Sequence, residues 1–572
     1  MDKDKLRRIA LGETSAKLVL KNARIINVFS GTIETADIAI EDGIIAGIGT
    51  YEGIKEIDVC FSYVAPGFMD GHVHIESSMM TPGHFARLVM PFGTTTVIAD
   101  PHEIANVCGL SGIQYMIDSA QHVPLDVKIM IPSCVPSTPF ETAGAKILSS
   151  DIEKIKDDPA ILGLGEMMDY PGVIHGDREV YRKIASVGMM PIDGHAPRLT
   201  DKELNAYVLA GMETDHEATT ASELEEKVKR GMYVHLREGS QTKNVRDLLG
   251  GITHENHSRL LFCTDDKQPE DIISHGHISA NINLAIAEGI DPIDAIKMAT
   301  INIAQCYRLR HIGAIAPGYH ADLVVFDDLH QIHPHLVFKN GVIVAKDGVA
   351  LFQPPPESTH MLGQSVRFNP EAIDFRIRVT SNHVYAIELE KNNVTTKKTP
   401  IMIRTQSGYY IQDPASDILK LAVVERHQSS GRVGLGFVKG YGLKKGAIAM
   451  TIAHDSHNLI IIGDNDDDMR LSAKRIKEIG GGIVLAHDGH VLHQLPLEVG
   501  GLMTSTKVES LIFQLDHMKK MARKLGVNEA IDDPLLQLAF LSLPVIPSLK
   551  LTDHGLFDVD QFRIIPLEVE AK

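Results

Sequence analysis

The sequence predicts an α/β protein: a (β/α)8 barrel, a small β-domain split around it, and a separate C-terminal α+β domain. Three observations predict this architecture. Eight apolar or β-branched runs end in polar residues at fairly even intervals between Val64 and Asp265. A strand-and-turn texture stands before these runs and returns after them. A proline-rich stretch then separates a final third of different character.

Taken in order, Leu18 to Thr50 alternates apolar residues between the turns "SGT" and "EDG", which marks short strands. A related texture fills Gly318 to Gly348. Neither piece has enough strands for a closed sheet, so the two are expected to join as one composite β-domain, 1–64 plus 310–360, with two independent hairpins as the alternative. The catalytic barrel is expected over 65–309. Its runs are "VAPGFMDGHVHI", "TTTVIAD", "DVKIMIPS", "AILGLGEMM", "GMMPIDGH", "GMETDHE", "GMYVHLRE" and "RLLFCTDD". Their polar ends fall near His74, Asp100, Ser133, Glu166, His195, His216, Arg237 and Asp265, spaced 21 to 33 residues apart, close to the roughly 30 of a βα unit. The sixth and seventh runs are short and polar. Helices fit the gaps. "TDKELNAYVLAG" offers a capping box at Thr200 and Glu203 and a stop at Gly211, and "SELEEKVKRG" offers the same at Ser222, Glu225 and Gly231. Alternating strands and helices imply a parallel sheet, and eight units imply closure. The prolines of "LFQPPPESTH" (351–360) mark a boundary. Beyond it, 365–572 mixes strand-like "NLIIIGD" and "GIVLAHD" with helical "SLIFQLDHMKKMARKLG", an α+β pattern.

Composition narrows the classes of function. Acidic residues exceed basic ones by 74 − 56 = 18, which argues against nucleic acid or an anionic membrane as the main partner. Five scattered cysteines without a CxxC pair suggest reduced thiols and a cytoplasmic setting. The N-terminus "MDKDKLRRIALG" lacks the apolar stretch of a signal peptide, and no run of about 18 apolar residues suggests a membrane span.

The stretch "PGFMDGHVHIESSMM" places His72 and His74 two residues apart on the first predicted barrel strand. Side chains at i and i+2 of a strand project to one side, here at the C-terminal end, where barrel active sites lie. Two adjacent imidazoles pack poorly but ligate metals well. Alone the pattern is weak. Glu166, His195, His216 and Asp265 end the fourth, fifth, sixth and eighth runs and bring further ligand types to the same mouth. Together these six can hold two divalent ions, which can ionise a shared water near neutral pH.

This pattern resembles the amidohydrolase superfamily, whose fold is a metal-dependent hydrolase barrel. The resemblance rests on His72 and His74, the strand-four carboxylate, the histidines of strands five and six, the strand-eight aspartate and "GAIAPGYHADLVVFD". Many members carry a carboxylated lysine where Glu166 stands. The longer motifs "MDGHVHIESSMM", "TTTVIADPHEIANVCG", "LGLGEMMD", "IDGHAP", "TDHE" and "FCTDD", with "AHDSHNLIIIGDND" and "LPLEVGGLM" downstream, are similar to the bacterial adenine deaminase family. That resemblance implies hydrolysis of adenine to hypoxanthine and ammonia, a step in purine metabolism. It implies that His72 and His74 hold one ion and that His195 and His216 hold the other. Glu166 would bridge, and Asp265 would move the proton. It favours manganese or iron, with zinc permitted by the N/O donor set, and suggests a homodimer acting on a free purine base. Asp100, His102 and Glu103 of "ADPHE" are candidates for substrate contact or for supporting the ligands. Arg237 and Glu238 are weaker candidates, because a surface ion pair explains them equally.

Other signals point elsewhere. His74 and Glu76 form an HxE, but no PCxxC accompanies it, which excludes the other zinc deaminase arrangement. "DNDDD" (464–468) fits a helix start better than a calcium loop. "AHDSHN" and "AHDGHV", 33 residues apart, read as loops with satisfied side chains, the alternatives being a cover for the barrel mouth or another ion site. A cyclic amidase or deacetylase on the same scaffold is the runner-up, and a non-catalytic barrel is a third reading.

Overall fold

The structure, a computed structural model, describes every residue except 1, 358, 360, 361, 391, 392, 414 and 570–572. Residues 358 and 360 of the proline-rich boundary therefore lie outside the described residues. The two flanking pieces form one nine-stranded sheet. Its join is the antiparallel pairing of Tyr63–Pro66 with Leu323–Phe326, where Val324 faces Ala65. This moves the start of the barrel. The run expected to begin at Val64 divides at Gly67, with Tyr63–Pro66 in the flanking sheet and the first barrel strand at Phe68–Val73. At Gly67 a Cβ would come within 2.1 Å of Thr95 Oγ1, so only glycine lets the chain pass there.

Eight parallel-type strands make the barrel: Phe68–Val73, Thr94–Ala99, Asp126–Ile131, Ile161–Met167, Ile192–Gly194, Thr214–Asp215, Tyr233–Arg237 and Leu260–Cys263. They pair as an arc of five and an arc of three. One seam is closed by Asp265 N donating to His72 O (3.0 Å) and His74 N donating to Asp265 O (3.1 Å). Across the other, Glu213 N donates to Ile192 O (3.0 Å). The sixth strand is only two residues long, whereas the seventh is a full, mostly buried strand.

The intervening helices are capped differently from expectation. Helix Asp201–Leu209 has Thr200 at its N-cap, but the hydroxyl makes no capping bond. Helix Ala221–Lys229 starts before Ser222: Thr220 caps it by accepting from Glu223 N (3.3 Å). Glu223 itself accepts from Arg198 N (2.8 Å) and Thr219 N (3.1 Å), which ties the preceding loops to this helix. "DNDDD" does open a helix, Asp466–Ile479, with Asn465 as its cap.

The C-terminal third is built on an eight-stranded sheet that includes Leu459–Gly463 and Gly482–His487. Its helix Val508–Lys524 reaches the barrel, where Lys519 Nζ bonds Glu270 Oε1 at 2.9 Å. Thr504 N donates to Met79 O (2.9 Å), and the apolar cores of barrel helices and C-terminal sheet are continuous. This docking covers the C-terminal ends of the barrel strands. All five cysteines are unpaired. Among the described residues, no helix is long and apolar enough to cross a membrane.

Candidate active site

The site begins with Asp70, buried on the first barrel strand. Its Oδ1 accepts the amides of His72 (3.2 Å) and Thr264 (3.1 Å), and its Oδ2 accepts the Thr264 hydroxyl (2.5 Å). Strands one and eight are thereby stapled just below the mouth. Burial pushes the Asp70 carboxyl up to about 6, against these bonds. Above the staple stand His72, His74 and Asp265, with Asp265 in the left-handed region (φ 57°).

His74 Nδ1 donates to Asp100 O (2.8 Å), which fixes its tautomer and leaves Nε2 facing inward. That Nε2 lies 3.2 Å from His72 Nε2, 3.1 Å from Asp265 Oδ1 and 3.3 Å from Glu166 Oε1. In this tautomer it brings a lone pair to two carboxylate oxygens, so acceptors converge with no hydrogen between them. Such a donor set fits a cation. Where no cation fills that space, Asp265 and Glu166 outweigh burial and hold the His74 pKa well above the usual imidazole range, a proton on Nε2 then taking the cation's place.

Glu166 sits at the end of the fourth strand, between two histidine groups. Its Oε1 faces His74 (3.3 Å), His102 Nδ1 (3.3 Å) and His72 (3.8 Å). Its Oε2 faces His195 Nδ1 (2.7 Å) and His216 Nε2 (3.3 Å). Burial works to raise its pKa, but hydrogen bonds from His102, His195, His216 and His74 hold it well below the carboxylate range. Ser133, the polar end of strand three, donates to Glu166 O (2.5 Å), and Asp100 Oδ2 accepts Glu166 N (2.9 Å). Gly165 permits that approach, since a Cβ there would fall 2.1 Å from Asp100 Oδ2.

The loops bearing His195 and His216 share one buried clamp. Asp215 Oδ1 accepts Ala196 N (2.9 Å), and its Oδ2 accepts Glu217 N (3.0 Å) and Ala218 N (3.0 Å). Lys227 Nζ completes it, bonding Asp215 Oδ2 (2.7 Å), Glu223 Oε1 (2.9 Å) and Ala196 O (2.9 Å). The His216 ring stacks on His72 with centroids 4.3 Å apart.

All six expected ligand residues are therefore gathered at one place. Of the remaining candidates, Asp100 and His102 touch the cluster directly. Burial first, then His74, pushes His102 down to about 4; burial and the Glu166 charge push Asp100 up to about 7. Glu103 faces away, toward Ser77 Oγ (2.8 Å) and the C-terminal domain. Arg237 is buried, which excludes the surface ion pair: its Nη1 donates to Asp265 Oδ2 (2.9 Å) and its Nε to Asn244 Oδ1 (3.0 Å). Glu238 differs. It is only partly buried, and its carboxylate makes no hydrogen bond or ion pair to the six among the described residues.

Sequence reasoning missed Glu217, next to His216 in "TDHE". Its Oε1 lies 3.4 Å from His216 Nε2, and both its oxygens bond Arg237. It missed Asp193, two before His195, whose Oδ2 has no hydrogen-bond partner and lies 3.9 Å from His72 Nδ1. It also favoured satisfied loops for both "AHD" segments. The second, near His487, is a turn on the C-terminal sheet. The first enters the mouth, where Asp455 Oδ1 comes within 3.8 Å of His102 Nε2.

Comparisons with known proteins show the family. Residues 63–346 match the amidohydrolase family, and residues 393–563 match the adenine deaminase C-terminal domain. "Adenine deaminase 2" of Carboxydothermus hydrogenoformans is 47% identical over 98% of this chain and 98% of its own length. "Adenine deaminase" of Clostridium acetobutylicum is 45% identical over 97% of this chain and 98% of its own. A solved L-hydantoinase (dihydropyrimidinase) from Arthrobacter aurescens covers 59% of this chain and 98% of its own at 16% identity, with a TM-score of 0.45. Identity sustained from end to end, through barrel and C-terminal domain alike, places this chain in the adenine deaminase family.

Proposed function

We propose that the chain hydrolyses adenine to hypoxanthine and ammonia. The observation that carries the reading is the division of Glu166: one carboxylate oxygen faces the His72, His74 and His102 side, the other faces His195 and His216. A carboxylate so placed suits a shared ligand between two cations, and the full-length likeness to curated adenine deaminases supplies the substrate.

In this reading His72 and His74 would hold one divalent ion and His195 and His216 the other, with Glu166 shared between them. Manganese or iron is favoured by the family, and zinc is compatible with the N/O donors. When bound, such ions supply Lewis acidity and lower the pKa of water at the site. The protein's own part is orientation and proton movement. Asp265 Oδ1 faces His72 (3.5 Å) and His74 (3.1 Å), so it stands where the attacking water must lose a proton. Burial would raise the pKa of Asp265, but His72, His74 and Arg237 hold it well below the usual range, keeping the proton acceptor ionised. The same carboxyl can then deliver that proton to the departing amino nitrogen. Unpaired cysteines and a net charge of −18 suit a cytoplasmic enzyme acting on a free base, and the family resemblance implies a homodimer.

The test is turnover of adenine by chelated protein restored with manganese, iron or zinc, compared with a panel of cyclic amides. Hypoxanthine and ammonia in equal amounts, dependent on added metal, are expected. Turnover of the amides but not adenine, or full adenine turnover without metal, overturns the proposal.

A further inference from the structure

The loop Ala453–Asn458 carries His454 and His457 from the C-terminal domain to Glu103, on the helix after the second barrel strand. His454 Nδ1 lies 3.4 Å from Glu103 Oε1, and His457 Nε2 lies 3.7 Å from Glu103 Oε2. Both gaps exceed a charge-assisted hydrogen bond, about 2.7–2.9 Å. They match instead the ligand-to-ligand edges of a coordination shell whose bonds are about 2.0–2.2 Å. All three side chains are buried, and their ligand atoms all lie within 4.8 Å of one another.

A second observation points the same way. His457 Nε2 is buried without a hydrogen-bond partner. The Ala453 amide occupies its Nδ1 (3.2 Å), so Nε2 is the nitrogen that faces Glu103. Close by, Glu76 is also buried; its Oε1 accepts Ile104 N (3.1 Å) and its Oε2 has no partner. Among the described residues, neither Glu76 nor Glu103 pairs with a lysine or arginine. Burial, then mutual repulsion between these carboxylates, raises Glu103 well above the usual range, while burial keeps His454 and His457 low. The cluster thus offers one carboxyl group and two neutral imidazoles, and among the described residues no lysine or arginine pairs with it.

We propose that Glu103, His454 and His457 form an additional site for a divalent transition-metal ion, separate from the centre around Glu166. Imidazole with carboxylate suits ions of the zinc, iron or manganese type. On binding, the proton held by Glu103 leaves to solvent so that Glu103 ligates as the carboxylate, and the His457 hydrogen passes from Nε2 to Nδ1, which gives up the Ala453 amide and frees the Nε2 lone pair for the ion. The ligands come from the barrel and from the C-terminal domain, so the ion fastens one to the other.

Full-length protein is dialysed against zinc and its metal content measured. Glu103→Gln and His457→Gln are each expected to hold one equivalent less than the unmutated chain, whatever number the Glu166 centre binds. Circular dichroism checks that the variants fold. Anomalous diffraction at the zinc edge, on crystals of the unmutated protein, is expected to show a peak among the three side chains, and this arm decides alone if a variant does not fold. Equal zinc content in folded variants and unmutated chain, or no peak there when zinc is visible beside Glu166, overturns the proposal.

Discussion

Arg237 Nη1 donates to Asp265 Oδ2 at 2.9 Å, which leaves Oδ1 as the oxygen turned toward His72 and His74. The same guanidinium grips Glu217. One buried cation therefore aims the carboxylate assigned to proton transfer and anchors the loop after His216. Arg237→Met should lower kcat by about 10–100-fold, the usual cost of losing a partner that orients a site residue. Arg237→Lys should recover part of it, since a point charge replaces a planar fork. Steady-state kinetics of both folded variants checks this.

Asp265→Asn keeps the shape but removes the basic oxygen. Deamination should fall by about 10²–10⁴, the range for a lost general acid–base group. Near-normal turnover in the folded variant would remove the assignment.

Lys227 is wholly buried and bonds Asp215, Glu223 and Ala196 O. Lys227→Met leaves two carboxylates buried without their cation, a loss of about 3–5 kcal/mol for a broken buried pair. A large fall in Tm is expected, together with lost activity, because Ala196 and Glu217 adjoin His195 and His216. An unchanged Tm contradicts the clamp.

Lys550 is fully buried and donates to Val394 O (2.7 Å) and Phe540 O (3.0 Å). Burial pushes its pKa down from 10.5 to about 7. Between those values the unfolded chain binds the proton and the folded chain does not, so stability rises with pH across that window. The slope is at most about 1.4 kcal/mol per pH unit. The Tm of the unmutated chain, relative to Lys550→Met, should climb between pH 7.5 and 9.5. A constant difference contradicts a neutral buried amine.

The barrel was legible because its strands end in polar residues that cannot be buried elsewhere, and because helices with clear stops at Gly211 and Gly231 separate them. The six residues of the cluster were legible for the same reason, each being a strand-end group of a type able to bind metal. Local chemistry proved less readable where two residues competed for one role: Thr220, two residues before Ser222, caps the helix by accepting from Glu223 N. Glu103, expected to face the mouth, turns away from the six residues toward Ser77 and toward His454 and His457, the latter two more than three hundred residues downstream. His454, Asp455 and His457 carry no periodic signal linking them to the barrel, and only docking of the two parts brings them together.

The entry of Ala453–Asn458 into the barrel mouth has a consequence for biosynthesis. A ribosome delivers the catalytic strands first, and the nascent barrel waits with an open, watery rim until roughly the last quarter of the chain arrives. Premature termination after the barrel should thus leave bare the apolar helix faces that the C-terminal sheet covers, and the site open to solvent.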